Sequence, residues 1–149
     1  LLVWNKGGLG PGGIKALRPT YELVALFAKP DFKIPNRSLA DVQKFTWGSY
    51  KPTGHPAEKP LDLIRWIIQA SDKKDGAVIL DPFMGSGTTG CAAVLEGCSY
   101  IGFDMDTDWV EKATARIEAT AKEAEEAEKK AIAEAVAAAA AIDEEDWLT

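Results

Sequence analysis

The chain has 149 residues, enough for the core of one domain, and a formal net charge of −6. No apolar run approaches the roughly 18 to 20 residues of a membrane helix, and no basic and apolar leader precedes a cleavage site, so a soluble, cytoplasmic protein with no membrane contact is expected. Two cysteines, Cys91 and Cys98, with the single His55 are a poor donor set for a metal, so none is expected and the thiols read as free and buried in a reducing compartment.

Taken in order, Leu1 to Trp4 reads as the end of a strand, with Asn5 and Lys6 at its tip. The glycine-rich run from Gly7 to Gly13 cannot hold regular structure. A second strand is expected at about Tyr21 to Ala28, apolar apart from Glu22 and closed by Lys29-Pro30. Asp31 to Gly54 has little periodicity and interleaves Lys33, Arg37, Lys44 and Lys51 with Phe45, Trp47 and Tyr50. Cations neutralise phosphate and rings stack on unpaired bases, so this loop suits a nucleic-acid surface. The competing reading is a surface loop pinned to the domain by its aromatics. Charge follows the same division: residues 1–60 carry nine Lys and Arg against four Asp and Glu, residues 61–149 eight against nineteen. A DNA-facing lobe joined to a small-molecule lobe has this asymmetry, as do many ordinary domains.

A helix is expected from Leu61 to about Ser71, with Pro60 in its first turn and Leu61, Ile64, Ile67 and Ile68 on one face. Ala77 to Leu80 is a short continuous apolar run, which suits a parallel strand buried on both faces. Asp81 stands at its tip. Gly85 and Gly87 then permit a sharp turn into a helix over Thr88 to Leu95, and a further strand, Ser99 to Phe103, ends in Asp104. Strand, glycine turn, helix, strand and acid make half of a nucleotide-binding crevice.

Gly85-Ser86-Gly87-Thr88-Thr89-Gly90 also satisfies the bare dinucleotide pattern. In that fingerprint the first glycine follows the strand directly, whereas Asp81-Pro82-Phe83-Met84 intervene here, and a carboxylate beside the helix start repels a pyrophosphate. The phosphate cradle G-x-x-x-x-G-K-[ST] fails as well, for no Lys precedes Thr88. A ligand with an ammonium group and a ribose diol fits better, and S-adenosylmethionine is such a ligand.

From about Asp108 the sequence becomes one long helix, with Trp109, Val110, Ala113 and Ile117 inward. Its Ala-, Glu- and Lys-rich continuation to Ala141 is expected to be a solvated extension with pairs such as Glu125 with Lys129 and Glu126 with Lys130. Partner binding through its Ala face or through Trp147 and Leu148 is the other reading.

His55-Pro56-Ala57-Glu58-Lys59-Pro60, then Asp81-Pro82-Phe83-Met84-Gly85-Ser86-Gly87-Thr88-Thr89, then Ile101-Gly102-Phe103-Asp104 resemble the cofactor half of the permuted, β-class amino DNA methyltransferases. Trp4-Asn5-Lys6 and Tyr21-Glu22 are similar to that family's elements upstream of target recognition. The resemblance implies an α/β, Rossmann-like S-adenosylmethionine-dependent methyltransferase fold, incomplete, with about four of seven strands and a long C-terminal helix. Residues 1–30 would end a catalytic subdomain, 31–54 form a short target-recognition region, 55–117 the cofactor subdomain and 118–149 a helical extension. Cofactor contacts are implied for His55, Pro56, Lys59, Pro60, Asp81, Pro82, Phe83, Gly85, Gly87, Thr88, Thr89 and Asp104. Within this set Asp81 would take the methionyl ammonium, Lys59 or the amides of Phe83 to Gly87 its carboxylate, and Asp104 the ribose hydroxyls. DNA contacts are implied for Lys33, Arg37, Lys44, Trp47, Tyr50 and Lys51.

The implied function is site-specific methylation of the exocyclic amino group of adenine or cytosine in double-stranded DNA with a flipped target base, within bacterial or phage restriction-modification. The family holds that base with an Asp, Asn or Ser followed by Pro-Pro and an aromatic residue, and no Pro-Pro pair occurs in this sequence. No catalytic residue is therefore assigned, and a missing N-terminal portion of the same enzyme is the expected source. A catalytically inactive DNA- or cofactor-binding remnant is the alternative, and a nicotinamide-dependent oxidoreductase a more distant one.

Overall fold

The computed structural model describes residues 1–10, 12, 14–46, 53–71 and 76–145, with side chains as far as residue 140. Its strands fall into two sheets rather than the single sheet expected. In the first, β1 (Leu2–Asn5) lies between β2 (Tyr21–Val24), which is antiparallel to it, and β3 (Val42–Lys44), which is parallel. The second consists of parallel β4 (Val78–Asp81) and β5 (Ser99–Gly102), in a register that sets Leu80 beside Ile101 and Asp81 beside Gly102. The β3 strand escapes sequence reading because three residues are too few to show a period. Strand β2 stops at Val24, short of the expected Ala28, and Leu26 and Phe27 beyond it are exposed.

Helix α1 (Leu61–Ala70) contributes to the core of both sheets. Leu63 and Trp66 pack with Trp4 of β1, joined by Leu2, Leu39, Phe45 and Ile67. Ile68 packs with Ala92, Ala93 and Cys98, joined by Leu61, Ile79 and Tyr100, while Ile64 touches both clusters. A helix with partners in two clusters buries more than one stripe, so the single inward face expected from Leu61, Ile64, Ile67 and Ile68 omits Leu63 and Trp66, both almost fully buried. Pro60 occupies the N-cap position and not the first turn.

Helix α2 (Thr88–Leu95) follows β4 and packs on α1 and on α3 (Thr107–Glu145). The close approach to α3 needs Gly90, where a side chain would collide with Ile117 and Tyr100. Among the described residues, helices cover only the face of β4 and β5 that carries Ile79 and Tyr100. Val78, Leu80 and Ile101 alternate onto the opposite face and are exposed, so β4 is not buried on both sides.

The start of α3 is set by Asp106, whose Oδ1 accepts the amides of Asp108 at 3.0 Å and Trp109 at 3.3 Å, a side-chain N-cap. Ala113 is fully buried, but every residue from Glu125 to Ala140 is exposed, with Lys129 paired to Glu125 and Lys130 lying 3.9 Å from Glu134. Both cysteines are free and buried. Among the described residues no helix is long and apolar enough to cross a membrane.

Candidate functional site

At the tips of β4 and β5 lies a cleft of about 290 Å³ lined by His55, Ala57, Lys59, Ile64, Asp81, Phe83, Met84, Gly85, Ser86, Thr88 and Thr89. Two loops make it. One carries His55 to Pro60 into α1, and the other runs from Asp81 through Gly87 into α2. The second holds its shape through backbone bonds: the Met84 amide donates to the Phe103 carbonyl at 2.8 Å and the Gly87 amide to the Met84 carbonyl at 2.8 Å. Gly85 and Gly87 have φ of +45° and +76°, a left-handed backbone that side chains disfavour.

The two strand-tip acids are held differently. Asp81 Oδ1 accepts the Phe83 amide at 3.0 Å, and its carboxylate lines the cleft. Asp104 does not line it but anchors it: Oδ2 accepts the Gly85 amide at 2.8 Å and Oδ1 the Asp106 amide at 3.1 Å. The amides of Asp106 and Gly85 hold the Asp104 carboxyl below the usual carboxylate range, so it is ionised at neutral pH. Beneath the sheet tip, burial and then the nearby Asp81 charge push the Tyr100 phenol above its ordinary value, which keeps it neutral.

His55 stands over the glycine loop, its ring edge-on to Trp109 of α3 with centroids 4.5 Å apart. A Cβ on Gly85 would come within 3.0 Å of His55 Nε2. The Ala57 amide donates to His55 Nδ1 at 3.1 Å, so in the neutral ring Nε2 carries the proton. Lys59 lines the cleft and lies 4.0 Å from Glu22 of β2, whose other oxygen pairs with the buried Lys6 at 2.7 Å. A chain of charge thus links the first sheet to the cleft.

Seven of the expected cofactor residues line the cleft: His55, Lys59, Asp81, Phe83, Gly85, Thr88 and Thr89. Pro56, Pro60, Pro82, Gly87 and Asp104 do not line it, though Gly87 and Asp104 bond within the glycine loop. The amides of Phe83, Met84, Gly85 and Gly87 all donate within the protein, so they are not open to a ligand carboxylate. Four lining residues lie outside that set: Ala57 and Ile64, which pass as turn and core, and Met84 and Ser86, which the sequence offered only through their backbone amides. Sequence reading missed Glu58 and Arg116, which meet at 3.1 Å behind the cleft.

On the other lobe, Lys33 and Arg37 are exposed in the loop before β3, and Lys44, also exposed, borders a shallow hollow with Asn5, Gly7, Gly8, Leu9 and Thr20. Trp47, Tyr50 and Lys51 lie outside the described residues. Phe45 is turned inward onto Trp66, with ring centroids 5.8 Å apart, and its carbonyl accepts the Trp4 indole N–H at 2.7 Å. For that ring the pinned-loop reading holds.

The model of the N6/N4 DNA methylase family matches residues 1–115. The type II methyltransferase M2.MboI of Moraxella bovis is 39% identical over 102 residues, which cover 58% of this chain and 37% of that protein. M.ScaI of Streptomyces caespitosus is 42% identical over 74 residues, 50% of this chain and 24% of that one. Among solved structures, the M1.HpyAVI-SAM complex matches with a TM-score of 0.56 at 28% identity, covering 78% of this chain and 60% of that one. The chain thus spans well under half the length of these two curated relatives.

Proposed function

The chain belongs to the DNA methylase family, and from that premise we propose that it is the S-adenosylmethionine-binding part of a DNA methyltransferase acting on an exocyclic amino group of adenine or cytosine. The observation that carries this reading is the pair of strand-tip acids, Asp81 in the cleft and Asp104 bonded to the Gly85 amide beside it. Negative charge at both tips opposes a diphosphate and suits a ligand with an ammonium at one end and a diol at the other. The cleft's apolar wall of Ile64, Met84 and Phe83 suits the body of such a ligand, and its volume of about 290 Å³ is at the lower edge of small-molecule sites. M1.HpyAVI has been crystallised with S-adenosylmethionine, which supports the same choice.

In this reading Asp81 holds the ammonium, Lys59 and the Thr89 hydroxyl face the carboxylate, and Asp104, beside the cleft, accepts the ribose hydroxyls on the lone pairs that its two amide bonds leave free. The bound cofactor supplies an activated methyl group. These residues contribute alignment, which is worth several kcal/mol (about 7 to 11 in the best intramolecular cases) when a bimolecular transfer becomes effectively unimolecular. The flipped base and its Pro-Pro motif belong to a portion of the enzyme outside these 149 residues. Lys33, Arg37 and Lys44 face the DNA, and contacts by Trp47, Tyr50 and Lys51 are assigned from the sequence resemblance alone. The relatives are bacterial type II methyltransferases, so the working context is restriction-modification in the bacterial cytoplasm, from a chromosomal or phage gene.

The test is equilibrium dialysis of the purified chain with labelled S-adenosylmethionine, with S-adenosylhomocysteine and NADH as competitors. Binding displaced by S-adenosylhomocysteine and not by NADH is expected, together with no methyl transfer to DNA by this chain alone. Displacement by NADH would favour an oxidoreductase, and methyl transfer by the chain alone would contradict the placing of the base-holding motif elsewhere.

A further inference from the structure

We propose that Arg116 and Glu58 are positioning residues that tie the two loops of the cleft together and thereby set its affinity for the cofactor; the inference rests on the cofactor reading above. Neither side chain lines the cleft. Arg116 projects from α3 so that Nη1 lies 3.1 Å from Glu58 Oε1, 3.0 Å from the Ser86 carbonyl and 3.2 Å from Thr88 Oγ1. Three oxygens, one from the His55 loop and two from the glycine loop and the start of α2, therefore share one nitrogen with two hydrogens.

Glu58 continues the tie backwards. Its Oε2 accepts the Thr53 hydroxyl at 2.7 Å and the Thr53 amide at 3.2 Å, and its own amide donates to the His55 carbonyl at 3.2 Å. The carboxylate is 4% exposed and the guanidinium side chain 23%, which takes both largely out of water. Such a pair gives little net stability compared with apolar packing of the same volume. What a guanidinium adds is direction, because its donors sit in a fixed plane. Here that direction connects the segment holding His55 and Lys59 to the segment holding Gly85 and Thr89.

The rest of α3 acts in the same sense. Trp109 meets His55, Ala113 lies under Gly87, where a Cβ would come within 2.8 Å of the alanine's, and Arg116 takes the next turn. Positions i, i+4 and i+7 share one helix face, so a single stripe of α3 forms the back of both loops.

Affinity for S-adenosylmethionine is measured calorimetrically for the chain and for Arg116→Met, Arg116→Lys and Glu58→Gln, each well below its own unfolding midpoint so that lost stability does not enter. Amide exchange at Glu58, Gly85 and Gly87 is followed alongside. The tie predicts at least tenfold weaker binding for Arg116→Met, faster exchange at all three amides, and partial recovery in Arg116→Lys. Wild-type affinity in Arg116→Met, or in Arg116→Lys and Glu58→Gln together should the Met variant fail to fold, overturns it. Absence of binding by the unmodified chain refutes the cofactor reading instead, and exchange alone then decides the tie: unchanged rates in the variants overturn it.

Discussion

Asp104, at the end of β5, accepts the Gly85 amide of the loop after β4 at 2.8 Å. One carboxylate thereby fixes the distance between the two strand tips across which the ligand is proposed to lie. The bond is charge-assisted, and its loss leaves an amide of the glycine turn unpartnered.

The sign of its pH dependence follows. The amides of Asp106 and Gly85 hold the Asp104 carboxyl below its ordinary value, so folding favours the ionised form. Its stabilising contribution is complete above that value and fades as pH falls through the lower folded value. Asp104→Asn is expected to lower the thermal midpoint at pH 7, and the gap to wild type is expected to narrow as pH falls below about 4. A gap independent of pH between 7 and 3 would contradict this.

Substitution at the two left-handed glycines separates stability from binding. Gly85→Ala is expected to cost about 1–2 kcal/mol for the backbone, because its new methyl meets the movable His55 ring, and to weaken cofactor binding as that ring shifts. Gly87→Ala is expected to cost more, because its Cβ meets Ala113 Cβ at 2.8 Å and Cα at 3.1 Å inside α3. Urea unfolding of both variants checks the order, and equal losses would refute it.

Much of the cleft was legible in sequence. The run from Asp81 to Thr89 is contiguous, and glycines flanked by an acid and hydroxyls identify a ligand loop without tertiary information. Glu58 and Arg116 were not legible, because each passes as an ordinary surface charge until folding brings them together behind the loops. Leu63 and Trp66 were missed because a periodicity argument assumes one buried stripe, and α1 has partners on two sides. Phe45 was grouped with the nucleic-acid aromatics by composition, but its ring packs on Trp66. The open face of β4 was missed because an apolar run records what a strand is built to bury, not what covers it here.

The distal part of α3 contributes nothing to the core. Truncation after residue 124 is expected to shift the unfolding midpoint by less than about 2 °C, since surface changes usually stay within about 0.5 kcal/mol, while lowering helical circular dichroism. A larger loss of stability would show that the exposed segment has a partner.

The basic lobe makes an independent prediction. If Lys44 and Arg37 meet phosphate, Lys44→Ala and Arg37→Ala each reduce the slope of log affinity against log salt for duplex DNA by about 0.9. Unchanged slopes would remove both residues from the DNA surface.

The most direct measurement is a crystal structure of the chain soaked with S-adenosylmethionine. Density is predicted with the amino-acid ammonium about 3 Å from the Asp81 carboxylate and the ribose hydroxyls at the same distance from Asp104. A cleft that stays empty with this ligand and fills with NADH would contradict the account.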